Sequence, residues 1–164
     1  MIPGAPQGAS FIFTVCGEPM KIFIASDHAA FEEKSKLIAH LREHYEIHDL
    51  GPLSSDRCNY PDYASAVAKS VVSDPESRGI LLCGSGIGMS MVANRYQGIR
   101  AALTRTVEDA QLAREHNNAN VICFGSRTSS FEDIKKMTDL FLVEKFAEGR
   151  HAERLELFNS LGQK

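Results

Sequence analysis

Gly79-Ile80-Leu81-Leu82-Cys83-Gly84-Ser85-Gly86-Ile87-Gly88 is an apolar run that ends in closely spaced glycines. No polar residue interrupts it between Gly79 and Cys83, the pattern of a strand buried on both faces. The glycines let the backbone turn sharply, and a helix through Met91 to Arg95 carries the chain away. A doubly buried strand feeding a loop and a helix belongs to a parallel sheet, because parallel neighbours need crossover connections.

The alternation continues in both directions. Upstream, Lys21 to Ala25 is rich in β-formers and is closed by Ser26-Asp27-His28. Residues 29–43 place Ala30, Lys34, Leu37, Ile38 and Leu41 at helical spacing. Glu46 to Leu50 is a short strand stopped by Gly51-Pro52, and a polar loop from Leu53 to Asn59 leads to Tyr60. Ala64, Val67, Ala68, Val71 and Val72 then follow the i, i+3, i+4, i+7, i+8 pattern of a helix. Downstream, Arg100 to Thr104 predicts a strand, Val107 to His116 a helix, and Asn120 to Phe124 a strand ended by Gly125. Residues 130–148 predict a long helix with Ile134, Met137, Phe141 and Leu142 inward. After Gly149 a last helix carries Leu155, Phe158 and Leu161. Five strands alternating with helices predict an α/β fold: a Rossmann-like three-layer α/β/α sandwich around a five-stranded parallel sheet.

The 164 residues make one domain, with a core of ordinary size. Lys and Arg number 18 against 21 Asp and Glu, a net charge of −3. That balance disfavours nucleic acid and membrane surfaces as partners while leaving room for local cation clusters. No apolar run reaches the roughly 20 residues of a membrane span. The four cysteines, Cys16, Cys58, Cys83 and Cys123, form no C-x-x-C pair, so reduced thiols and a cytoplasmic location are expected, with no disulfide framework or zinc site. Residues 1–19 contain no Lys or Arg, which argues against a signal peptide. They predict a disordered or partly ordered extension ahead of a domain at residues 20–164.

In open parallel sheets, ligands bind outside the carboxyl ends of the strands. Asp27-His28, Cys83-Gly84-Ser85 and Gly125-Ser126 all fall there. The Gly84–Gly88 loop aims backbone N–H groups at one point beside a helix start, which suits an anion; a plain tight turn explains it equally. It lacks the Lys-Ser/Thr of a nucleoside-triphosphate loop and the acidic residue of a dinucleotide site. Cys83, at a strand end beside a helix start, is either a thiolate nucleophile or base, or a small buried residue. Cys123 reads as core. His28 follows Asp27 at a strand end, and His116 closes a helix beside Asn117; each is a candidate without being compelled. Arg150 and Arg154 share a helix face and can grip an anion, or form a solvated basic turn.

Together these stretches resemble the ribose-5-phosphate isomerase B family, which also includes the galactose-6-phosphate isomerase subunits. The resemblance runs from Met20 to about Phe158. It is carried by Ser26-Asp27-His28-Ala29, Asn59-Tyr60-Pro61-Asp62-Tyr63-Ala64, Gly79 to Gly88, Ala93-Asn94, Gly98-Ile99-Arg100-Ala101, Ala113-Arg114-Glu115-His116-Asn117, Asn120-Val121, Phe124-Gly125-Ser126-Arg127, and Gly149-Arg150-His151 with Arg154. Each is weak alone; in this order they are specific.

The resemblance implies an enzyme without metal or cofactor that interconverts ribose 5-phosphate and ribulose 5-phosphate. It implies a homodimer or dimer of dimers whose active sites are shared between subunits. Part of the family uses a glutamate as base. Here Cys83 is present and Gly88-Met89-Ser90 offers no carboxylate, so the chain is similar to the cysteine type. Carried over residue by residue, Cys83 is the base and His116 opens the sugar ring. Asp27 holds the ring oxygen or C1 hydroxyl, and Ser85 bonds the oxygens between which the proton moves. The amides of Gly84, Gly86, Ile87 and Gly88 stabilise the enediolate. His28, Arg150 and Arg154 hold the phosphate, and Tyr60 and Asn117 contact sugar hydroxyls. Galactose 6-phosphate or allose 6-phosphate is the alternative substrate, and a non-catalytic sugar-phosphate-binding module the alternative of another class.

Overall fold

In the computed structural model, the described residues are Thr14–Val15 and 17–161. The extension expected before Met20 lies outside them at residues 1–13 and Cys16. Its remainder forms a small antiparallel pair, β1 (Thr14–Val15) with β2 (Glu18–Pro19).

The main sheet consists of β3 (Lys21–Ser26), β4 (Glu46–Asp49), β5 (Arg78–Cys83), β6 (Ala101–Leu103) and β7 (Val121–Gly125). It is parallel throughout, in the order β4-β3-β5-β7-β6. Alternation along the strands divides two cores. Ile22, Ile24, Ile80, Leu82, Ile122 and Phe124 point to the face covered by α1 (Phe31–Leu41), α4 (Val107–Glu115) and α5 (Phe131–Val143). Ala25, Leu81, Cys83, Val121 and Cys123 point to the face covered by α2 (Tyr60–Ser73) and α3 (Ile87–Ala93). A last helix, α6 (Arg150–Glu156), runs into a 3-10 turn, Leu157–Ser160. The three-layer α/β/α sandwich is thus present. No helix among the described residues is long and apolar enough to cross a membrane.

Several element ends differ from the sequence expectation, for local reasons. The helix expected over 130–148 stops at Val143. Glu144 adopts an extended ψ of 141°, and the Ala147 N–H bonds the Glu115 carbonyl instead of continuing the helix. Helix α3 stops at Ala93 because the Asn94 side chain pairs with Ala101 in both directions, at 2.8 Å each, and ties the helix end to β6. The first helix begins with a 3-10 turn over His28–Ala30 because the Asp27 carboxylate accepts the Ala29 and Ala30 N–H groups.

The connections reverse direction at β3 and β5. Helix α1 leaves β3 on one face, and α2 brings the chain to β5 on the other. The crevice of an open sheet lies at such a switch. Ser26 pairs with Leu82 there, so the chain leaves β3 at Asp27 and β5 at Gly84 side by side.

Candidate active site

At the carboxyl edge, the Asp27 N–H donates to the Leu82 carbonyl at 2.9 Å, extending the ladder one step beyond β3. One oxygen of the Asp27 carboxylate is engaged locally: Oδ1 accepts from Ala29 N at 2.9 Å and Ala30 N at 3.1 Å. This places His28 in the short turn at the rim, with its Nδ1 buried and without a partner among the described residues. Cys83 ends β5 at 5% exposure, and its Sγ accepts from the Gly86 N–H at 3.0 Å. An N–H donated to sulfur is the geometry that suits an anionic sulfur. Gly86 makes this possible with φ of +75°, a left-handed conformation that turns its amide back to the thiol. Ser85 Oγ accepts from Ile87 N at 3.3 Å.

Two side chains lie directly on this loop. The Tyr60 ring, in the first turn of α2, covers Gly88: a Cβ there would come within 2.6 Å of the ring. The second is Arg127, which enters the sequence analysis only within the stretch Phe124-Gly125-Ser126-Arg127. The turn after β7 folds over β5 through Ser126 N–H to Cys83 O at 2.9 Å and Arg127 N–H to Gly84 O at 3.0 Å. The Arg127 guanidinium thereby lies against Gly84, where a Cβ would be 3.2 Å from Nη1. No ion pair or side-chain hydrogen bond occupies it among the described residues. The signal available in the sequence was its place just after the Gly125 strand end.

The remaining expected site residues lie at the other end of the sheet. Helix α4 starts from the carboxyl end of β6 and returns to the amino end of β7, so His116 and Asn117 sit below the sheet from Cys83. Nine residues of helix span about 14 Å. The chain after α5 passes this end, with Ala147 N bonded to Glu115 O at 3.0 Å, and α6 begins there. His116 and His151 stack face to face, with centroids 4.2 Å apart and planes at 7°. Burial, then the charges of His116, Arg150 and Arg154, hold the His151 imidazole below its ordinary value. Arg150 and Arg154 are exposed and carry no ion pair among the described residues. One chain therefore brings together Asp27, His28, Tyr60, Cys83 and the Gly84–Gly88 loop, and separately His116, Asn117, Arg150 and Arg154.

Cys123 is fully buried beneath this edge, and burial, helped by nearby Cys83, pushes its thiol up. It is a core residue. Among the described residues, no group of three His, Cys, Asp or Glu is placed to hold a metal ion.

Comparison with known proteins agrees with this architecture. The family model described as Ribose/Galactose Isomerase matches residues 22–158. Ribose-5-phosphate isomerase B of Escherichia coli is 41% identical over 145 residues, 88% of this chain and 97% of that protein. The crystal structure of a ribose 5-phosphate isomerase from Thermotoga maritima superposes with a TM-score of 0.83 at 45% identity, over 87% of this chain and 99% of that one. Ribose-5-phosphate isomerase B from Mycoplasma genitalium, solved with bound ribulose-5-phosphate, gives 0.84 at 40%, over 86% and 95%. With the thiol, the glycine loop and the strand-end pair Asp27-His28 in one crevice of the shared fold, the chain belongs to the ribose/galactose isomerase family.

Proposed function

We propose that the chain interconverts ribose 5-phosphate and ribulose 5-phosphate through an enediolate, in a site completed by a second copy of itself. The observation that carries this reading is the Cys83 thiol at the mouth of the crevice with the Gly86 amide on its sulfur. The sugar phosphate rests mainly as a closed furanose. His116 donates a proton to the ring oxygen as the C1 hydroxyl loses its own, and the open aldehyde forms. Asp27 orients that end of the sugar. Cys83 thiolate then takes the C2 proton, the C1–C2 bond becomes double, and negative charge moves to O1 beside the loop amides. The proton returns to C1 as the O2 hydroxyl proton passes to O1 with Ser85 as partner, leaving the ketose.

Phosphate is held by His28, Arg127, Arg150 and Arg154, and the sugar hydroxyls by Tyr60 and Asn117. Among the described residues these guanidinium groups carry no ion pair, which supports the assignment, because an unpaired cation is available to a dianion. The position of His116 and the α6 arginines, at the opposite end of the sheet from Cys83, supports a two-copy site: a symmetric pair can set one copy's carboxyl edge against the other's amino edge.

Ribose 5-phosphate, allose 6-phosphate and galactose 6-phosphate supplied in parallel to the purified protein test the reading. Ribulose 5-phosphate should form fastest, and all three inert would refute it.

A further inference from the structure

Lys34 is a charged side chain in a place the helix gives to the core. It lies on the inward stripe of α1 with Leu37, Ile38 and Leu41, and only 1% of it is exposed. Burying an ammonium is costly, and an apolar side chain of similar volume often serves stability as well or better. Stability therefore gives little reason for a charge there; its contacts give another. Nζ lies 2.6 Å from Asp49 Oδ1 and donates to the Pro52 carbonyl at 2.7 Å. The same Asp49 oxygen accepts from the Gly51 N–H at 2.9 Å. One ammonium and one carboxylate thus hold the turn over 49–52 from both of its ends.

That turn touches the candidate site on two sides. The Gly51 carbonyl accepts from Ser26 N–H at 3.0 Å, one residue before Asp27 and the His28 turn. Gly51 also supports the Tyr63 ring, which a Cβ at that position would meet at 2.8 Å. Tyr63 stands one helical turn after Tyr60, which lies on Gly88. The Cys83 sulfur is held differently, by an amide of its own loop.

We infer that Lys34 is a positioning residue whose buried ammonium fixes the 49–52 turn and so sets Asp27-His28 on one side and Tyr60 on the other. The inference rests on the sugar-phosphate reading of the site. It assigns Lys34 to substrate capture, since the groups it reaches contact phosphate and sugar, while the base is anchored elsewhere.

The test compares the full-length wild type with Lys34→Met, which keeps the side-chain length, and with Asp49→Asn, which changes a partly exposed partner. Lys21→Met, which breaks the exposed Lys21–Asp74 pair, is the control. In Lys34→Met, KM for ribose 5-phosphate should rise about tenfold or more while kcat stays within about threefold. Amide exchange at Ser26 should quicken by about tenfold, and alkylation of Cys83 by iodoacetamide, followed by mass spectrometry, should keep its rate. Asp49→Asn should move KM and Ser26 exchange the same way, and Lys21→Met neither. KM within about twofold of wild type in both site variants would overturn the inference, whatever the melting temperature. Should Lys34→Met fail to fold, Asp49→Asn decides by the same criteria. A wild type that turns over no sugar phosphate, with Ser26 exchange still quickened in the variants, would sink the functional reading and leave the mechanical link from Lys34 to the turn standing.

Discussion

Cys83 and Cys123 stand on neighbouring strands of one sheet face and differ in a single respect that decides their chemistry. Cys123 pairs opposite Leu81 inside the ladder, fully buried. Cys83 ends its strand, where the next residues fold an amide onto the sulfur. Removing a base from a proton transfer slows both directions of the reaction. Cys83→Ala is therefore expected to lose about 10²–10⁴-fold in kcat from either ribose 5-phosphate or ribulose 5-phosphate, with its melting temperature nearly unchanged. Near-wild-type rates would make the thiol a core residue. His116→Ala should separate the two substrates. A ring-opening acid matters only for the closed aldose, and the ketose has no furanose available while its O5 carries phosphate. Initial rates from the aldose should fall steeply and those from the ketose much less. Cys83, Asp27 and His28 were legible in the sequence because their place depends on where one strand ends, which is local. Arg127 was not, because its guanidinium reaches Gly84 only through the fold of the β7 turn over β5.

The β5–α3 connection works because two glycines there leave room for others. Gly86 is left-handed, and a Cβ on it would meet Leu103 Cδ1 at 2.5 Å and the Phe124 backbone at 2.8 Å. The Phe124 backbone cannot yield and the left-handed φ strains any side chain, so Gly86→Ala should cost about 2 kcal/mol or more in urea unfolding. In Gly88→Ala the nearest atoms to the added Cβ all belong to the Tyr60 side chain, which is 39% exposed and can swing outward. That variant should fold normally and show a raised KM; an unchanged KM would separate Tyr60 from the substrate. The α6 end carries a pH dependence of definite sign. His151 is held below its ordinary value, so the unfolded chain binds that proton more readily than the folded one. The corresponding stability is present above about pH 6.5 and is lost as pH falls below it. The drop in melting temperature on acidification should be smaller in His151→Gln. Helix and strand types were legible at this scale because apolar periodicity reports burial, whereas the ends of α3 and α5 were set by Asn94 and Ala147 bonding to distant chain.

At the scale of the whole molecule, parallel strands gather one set of polar residues at the carboxyl edge and return every crossover helix to the amino edge. The parallel sheet followed from that alternation, but its strand order and the opposite placement of His116 and Cys83 did not; those come from the pairing of the strands and the direction of α4. The proposed mechanism uses side chains and backbone amides alone, so dialysis against EDTA should leave turnover unchanged, and a loss restored by a divalent cation would contradict it. In the proposed site Cys83 of one copy works with His116 of another, and subunit mixing is the direct test of that pairing. Cys83→Ala and His116→Ala proteins, each inactive on ribose 5-phosphate, are combined under conditions of subunit exchange, and the mixed dimers are verified by differential tags. A mixed dimer would hold one site with both residues intact, so a statistical mixture should recover about a quarter of wild-type turnover. Verified mixed dimers with no recovered activity would contradict the claim.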